Sequence, residues 1–200
     1  LIQKGSGSVV DFGPSAARLH GFAALASERP AGDLVAYARP AAGQAAIRGD
    51  AASADFMAKA KAALGTALPT DSRSAGGDDA LIILRLGPDN WLAIHEDEAG
   101  FGIQMEQAVG FHAINVSSTR SRLRLEGEAA RDLLSTGCRI DLRESAFPPG
   151  AFAQAPVGSA TTIIHCRDAA TFDLYIARSF AESWLVWLRH AGQEFGLVTV

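Results

Sequence analysis

Hydrophobic and polar positions change period several times along this chain, and each change marks an element. Leu34-Val-Ala-Tyr-Ala38 and Ala45-Ala-Ile-Arg48 are short runs of strand character. Phe56, Ala60, Ala63 and Leu64 then fall at helical spacing. Ala80–Leu86 and Trp91–Ile94 flank Gly87-Pro-Asp-Asn90, whose residues favour a tight turn, so this pair is expected as a hairpin. Phe101, Met105 and Val109 lie four apart and place a helix within 97–109.

The second half repeats the order. Ser121-Arg-Leu-Arg-Leu-Glu126 alternates, with Leu123 and Leu125 on one face and Arg122 and Arg124 on the other. A helix begins within Gly127–Leu134, and Gly137 can end it. Thr161–Ile164 and Phe172–Ala177 predict a second hairpin across Arg167–Ala170. A last helix spans about 179–195, with Phe180, Trp184, Trp187, Leu188, Ala191 and Phe195 forming one apolar stripe. Ile47-Arg-Gly49 before the first helix is echoed by Leu125-Glu-Gly127 before its counterpart. The expected fold is therefore α+β: two tandem βαββα units, 34–110 and 111–200, with antiparallel sheets packed against helices. Together with a lead-in over 1–33, which carries an amphipathic stretch from Ala16 to Ala26 and a flexible Lys4–Ser8, they make one domain over 1–200.

Between Cys138 and Ser159 no period is visible, and Phe147-Pro-Pro-Gly150 stands in the middle. Long aperiodic loops are surface crossings or contact loops. A prolyl pair is already ordered before docking and an adjacent aromatic can anchor, so Phe147, Pro148 and Pro149 are candidate partner-contact residues.

Composition narrows the class. Hydrophobic residues make up 48% and charged residues 20%, with a formal net charge of −4 and no Lys/Arg-rich run, which argues against nucleic acid or an anionic membrane as the main partner. No stretch approaches the length of a membrane span and no secretory pattern opens the chain, so the expected location is cytoplasmic. Cys138 and Cys166 have no metal-site spacing and are expected as buried thiols.

The arrangements that catalysis needs are missing. There is no P-loop, no dinucleotide fingerprint in its strand–turn–helix context, and no nucleophile elbow. His95, Glu96 and Glu98 imitate a metal cluster, but the spacing suits a solvated strand end. His165 and Cys166 are neighbours in a strand and face opposite sides. His20, His112 and His190 stand alone. Arg120, Arg122 and Arg124 line one face of a strand, which suits an anion site or an acidic partner. With Glu126 and Glu128 close by, the plainer reading is a solvated, paired face.

Ser121–Leu142, Ala146–Gly150, Thr171–Phe180 with the Trp-rich helix, and Leu86–Leu92 together resemble the sarcosine oxidase gamma subunit family, in order and spacing, over roughly residues 34–197. That resemblance implies a heterotetramer with alpha, beta and delta subunits that oxidatively demethylates sarcosine to glycine and passes the one-carbon unit to tetrahydrofolate. It implies FAD, FMN and NAD on alpha and beta, zinc on delta, and no cofactor and no catalytic, cofactor-binding or metal-binding residue on this chain. It also implies a fold similar to the folate-binding aminomethyltransferases. Where those carry Asp-x-Ser before a helix-starting Gly, this chain has Asn115-Val-Ser117. Two alternatives stay open at this level: a stand-alone folate-binding or one-carbon transfer protein, and the equivalent subunit of a related N-methyl amino acid dehydrogenase.

Overall fold

Strand pairing sorts the chain into two sheets whose membership cuts across the order of the sequence. The computed structural model describes residues 22, 25, 28–39, 43–71, 75–108 and 112–199. The elements of the first half are β1 (Val35–Ala38), β2 (Gly43–Arg48), α1 (Ala54–Leu64), β3 (Ala75–Gly77), β4 (Leu81–Gly87), β5 (Asn90–His95) and α2 (Phe101–Gln107). Those of the second are β6 (His112–Asn115), β7 (Arg120–Glu126), α3 (Ala130–Gly137), β8 (Phe152–Val157), β9 (Ala160–Cys166), β10 (Thr171–Ala177), α4 (Ala181–Gly192) and β11 (Val198–Thr199). One sheet runs β11-β1-β7-β10-β9-β8 and the other β3-β4-β5-β2-β6. Each half thus lends its first strand to the other: β1 pairs antiparallel with β7, and β6 pairs antiparallel with β2.

Three apolar clusters show how these pieces stack. Ala60 and Leu64 of α1 and Phe101 and Met105 of α2 cover Ala45, Ile47, Ile83 and Trp91 on the outer face of the five-stranded sheet. Leu133 and Leu134 of α3 and Trp184, Leu185 and Leu188 of α4 cover Leu123, Leu125, Ile164 and Leu174 on the outer face of the six-stranded sheet. Ile82, Leu84, Leu92 and Ile94 of one sheet meet Phe152, Ile163 and Tyr175 of the other between them. The result is four layers, helix–sheet–sheet–helix, in which both sheets are buried on two faces. That explains why β4, β5, β9 and β10 read as continuous apolar runs rather than alternating ones.

Local chemistry sets the ends of α1, which the apolar spacing left open. Ser53 caps α1 by accepting from the Phe56 amide at 3.3 Å, and Gly65 at φ 73° ends it. The repeated strand-end glycines share a physical cause, close approach. A Cβ on Gly49 would stand 2.2 Å from the Phe56 ring, and one on Gly127 would stand 2.2 Å from the Asp33 carbonyl oxygen.

Four expectations need correction. The helix within 97–109 is only the seven residues of α2, and Val109 lies outside the described residues. The aromatic stripe is interrupted: Phe180 sits in a 3-10 turn before α4 and is 49% exposed, whereas Trp184 and Leu188 are fully buried. The segment Cys138–Ser159 contains β8, which small residues and Pro156 hid from a periodicity reading. Phe147 is buried at 5% exposure among the core residues beneath α3 and α4, so its ring belongs to this chain's own core and cannot anchor a partner; Pro148 and Pro149 are exposed. Phe147→Ala is therefore expected to cost about 3 kcal/mol in urea unfolding, where a surface anchor would cost almost nothing. The Ala16–Ala26 stretch lies outside the described residues except for Phe22 and Leu25, both buried against the same core, and Lys4–Ser8 lies outside them entirely.

Candidate functional site

Strand register carries charge into the middle of the molecule. Positions 122 and 124 of β7 alternate with the core leucines and so face the opposing sheet. Arg122 donates to Glu96 at 2.6 and 2.7 Å and to Asp173 at 2.8 Å. Arg124 grips Asp173 through two bonds of 2.7 and 2.8 Å, Arg39 reaches Glu96 at 3.3 Å, and Arg167 lies 3.9 Å from Asp173. Glu96 follows β5 and Arg122 is in β7, so this cluster ties the two sheets together. Asp173 is fully buried and Arg122 is 3% exposed. The solvated-face reading of these arginines fails because the second sheet covers that face. Glu126 instead pairs with Arg29 and accepts from the Tyr37 hydroxyl, each at 2.6 Å, while the Arg120 side chain donates to Thr119 Oγ1.

The electrostatics follow from that geometry. Burial alone would raise the Asp173 carboxyl, but Arg124 and Arg122 outweigh it and hold the group at about 2. Burial likewise opposes ionisation of Glu96, and the hydrogen bonds and charge of Arg122 pull it below the usual range. Burial works against the Arg122 cation, while Tyr175, Asp173 and Glu96 push its pKa upward. The Arg122 guanidinium also lies 5.6 Å from the centroid of the Tyr175 ring. The carboxylates are spent on the guanidinium groups, while Arg122 Nε and the Tyr175 hydroxyl are buried without a hydrogen-bond partner among the described residues, so the arrangement is a pinned electrostatic joint rather than an acid–base pair.

His165 stands opposite Asp173 in the β9–β10 register and is 4% exposed. Burial lowers its pKa to about 4; Asp173 opposes this, and Arg167, Arg122 and Arg124 reinforce it. A folded value near 4 against 6.5 in the unfolded chain means that only the unfolded chain binds the proton between those values. Stability is therefore expected to fall as pH drops from 6.5 to 4, by about 3 kcal/mol from this group. Urea midpoints for wild type and His165→Gln across that window check it: the variant should lose most of the slope. Cys166 faces the other way, into the core under the helices, where its Sγ donates to the Asp168 carbonyl at 3.1 Å and burial raises its pKa. No nucleophile–base pair forms between them.

At the other end of the five-stranded sheet, Asn115 Oδ1 accepts from the Ser117 hydroxyl at 2.7 Å and from its amide at 3.1 Å. Ser117 Oγ in turn accepts from the Gln44 amide at 2.9 Å. A Cβ on Gly102 of α2 would fall 2.3 Å from Asn115 Oδ1, so the helix closes over this turn. The Asn115 oxygen is thus engaged within the chain, and an amide at this position carries none of the charge a carboxylate would. His95 Nδ1 accepts from the Glu98 amide at 3.2 Å, and Glu96 turns inward to Arg122. Among the described residues no group of His, Cys, Asp and Glu is arranged to hold a metal ion, and no helix is long and apolar enough to cross a membrane.

One open feature is a cleft of ≈ 820 Å³ beside β8. Arg85, Leu86 and Pro88 form one wall; Ile140, Asp141 and Phe147 form another, and Phe152–Gln154 of β8 lie along it. Arg131 of α3 shapes that second wall: its guanidinium donates to the carbonyls of Leu142 and Phe147 and stacks 5.0 Å from the Phe172 ring centroid. Of the predicted contact residues only Phe147 borders the cleft. Sequence reasoning missed the cleft because it depends on β8.

This arrangement of two stacked sheets between helices defines a fold class. Aminomethyltransferase T of the glycine cleavage system from Bartonella henselae shares it, with a TM-score of 0.53 at 18% identity over 78% of this chain and 45% of that one. More specifically, the Sarcosine oxidase, gamma subunit family matches residues 48–194, and the chain belongs to that family. It is 31% identical to the sarcosine oxidase subunit gamma of Arthrobacter sp over 181 residues, 88% of this chain and 89% of the relative. It is 30% identical to that of Corynebacterium sp. (strain P-1) over 76% of each. Among solved structures, a chain of the heterotetrameric sarcosine oxidase from Corynebacterium sp. U-96 in complex with pyrrole 2-carboxylate aligns with a TM-score of 0.78 and 26% identity, covering 89% of this chain and 94% of that one.

Proposed function

We infer that this chain is the gamma subunit of a cytoplasmic heterotetrameric sarcosine oxidase and works with alpha, beta and delta subunits in the oxidative demethylation of sarcosine to glycine. The flavins, NAD and zinc belong to those partners, as does transfer of the one-carbon unit to tetrahydrofolate; this chain contributes a rigid body on which they assemble. The observation that carries the reading is the family match over 48–194 together with near-complete coverage of a chain of the solved oxidase. The chemistry of the chain supports it. Glu96, Asp173, Arg122 and Arg124 neutralise one another, His165 is held neutral by burial, and Asn115 is engaged by Ser117. A side chain committed in this way stiffens a scaffold and is poorly placed to move protons for a substrate.

Co-expression with the alpha, beta and delta subunits encoded by the same organism tests this. The expected result is a co-purifying complex that turns sarcosine over with release of hydrogen peroxide, and an isolated chain that is colourless and inactive. A flavin band on the isolated chain, or a wild-type chain that never joins the complex, overturns the reading. Tetrahydrofolate titrated into the isolated chain should produce no heat of binding; saturable binding would establish the folate-binding alternative.

A further inference from the structure

β8 is an edge strand whose outer side is open, and its hydrogen-bond phase can be worked out from the hairpin that follows it. A two-residue turn, Gly158-Ser159, joins β8 to β9, so the closing pair Val157 and Ala160 is a hydrogen-bonded one. Counting back by twos, Ala155 and Ala153 turn their amides and carbonyls toward β9, while Pro156, Gln154 and Phe152 turn theirs away. Pro156 agrees with this phase, since a residue without an N–H is tolerated where that group would face outward.

The chain itself begins to cover this edge and then leaves it. Cys138 bridges antiparallel to Val157, and the Gly158 amide donates to the Gly137 carbonyl at 3.1 Å. Continuing that register would set Arg139–Arg143 opposite Pro156–Phe152. Instead Leu142 and Phe147 dive into the core, and Arg131 takes both their carbonyls. The outward groups of Phe152 and Gln154 therefore face the ≈ 820 Å³ cleft with no partner strand among the described residues. Its walls are apolar at Leu86, Ile140, Phe147 and Phe152. Of the two charged residues lining it, Asp141 is paired with Arg143, and Arg85 has no ion-pair partner among the described residues.

We propose that an extended segment of another subunit of the oxidase adds as a strand to the open edge of β8, its amides and carbonyls pairing with Phe152 and Gln154, its apolar side chains filling the cleft and an acidic residue meeting Arg85. The phase of the edge, the apolar walls and the uncompensated cation together specify such a segment: alternating, apolar and bearing one carboxylate. This rests on the reading of the chain as a subunit of that complex.

The test separates backbone from side chain within the co-expressed complex. Gln154→Pro removes an outward N–H while leaving the β8–β9 ladder intact, just as Pro156 already does. Gln154→Ala shortens the side chain and keeps the N–H. The expected result is that Gln154→Pro lowers recovery of the complex by about ten- to a hundredfold, the range for a buried partner group left unpaired, while Gln154→Ala assembles as wild type does. Arg85→Glu should weaken assembly in the same direction. Amide hydrogen exchange on the wild-type chain, free and assembled, gives a readout that does not depend on how the proline variant folds: the peptide containing Phe152 and Gln154 should gain protection on assembly. Unchanged exchange there, or normal assembly of folded Gln154→Pro, overturns this inference alone. A wild-type chain that fails to assemble overturns the functional reading beneath it. A self-dimer of the isolated chain abolished by Gln154→Pro would assign the edge to a second copy and overturn the proposed partner.

Discussion

Trp184→Ala is expected to lower the unfolding free energy by about 5 kcal/mol, the upper end for a buried aromatic. Trp184 is fully buried, packs edge-on to Phe22 at 6.3 Å between centroids, and donates from Nε1 to the Val157 carbonyl at 2.9 Å. Truncation removes the ring from the contact between α4 and the six-stranded sheet and takes a donor from β8. At roughly 2–4 °C per kcal/mol for a domain of this size, the thermal midpoint should drop by about 10–20 °C. Trp187, its neighbour on the helix at 5.3 Å, is only partly buried and lies against Gly137 and Gly158, so Trp187→Ala should cost about half as much. Calorimetry of both variants decides it: equal midpoints would mean that the two rings share the load, and an unshifted Trp184→Ala would remove the helix from the core.

Asp173→Ala is expected to cost about 3–5 kcal/mol at pH 7, because it leaves the buried Arg122 and the half-buried Arg124 beside one remaining carboxylate, Glu96. The pH dependence gives a second readout. A carboxyl depressed to about 2 contributes stability that is fully present above its unfolded pKa and is lost as pH falls through the folded value. The gap between wild type and Asp173→Ala in urea unfolding should therefore narrow from about pH 4 downward toward pH 2, and stay constant between pH 6 and 8. A gap that does not change with acid would show that packing, rather than charge, makes Asp173 necessary.

Much of the framework was legible from residue order. The β4–β5 and β9–β10 hairpins and α1 are local in origin, since a turn or an apolar period is specified within a few residues, whereas the strand-end glycines were visible only as a repeat: Gly127 is required by Asp33, far away along the chain. The alternation of β7 correctly put Leu123 and Leu125 on one face and Arg122 and Arg124 on the other. What lay beyond that face was not legible. Arg122 meets Asp173 across 51 residues and Glu96 across 26, and pairs of that kind leave no periodic trace. A buried salt bridge and a solvated one read alike in sequence, because the alternation is the same whether water or a second sheet covers the polar side.

The same limit explains the candidate contact loop. Phe147-Pro-Pro was visible as a rigid, aromatic-bearing segment, yet whether Phe147 turns inward or outward depends on Arg131, sixteen residues earlier, drawing in the loop carbonyls. β8, with its small residues and a proline, became a strand because β9 offered it a ladder of partners. Sequence alone determined the types of the strongly periodic elements, the repeated order of strands and helices and the family resemblance, since these rest on local periodicity and on residue order. Tertiary structure alone decided the exchange of β1 and β6 between sheets, the burial of the ionic cluster and the open edge of β8. Each of these depends on which distant strand supplies the missing neighbour, and hydrogen-bond pairing between strands carries no record of its partner in the strand itself.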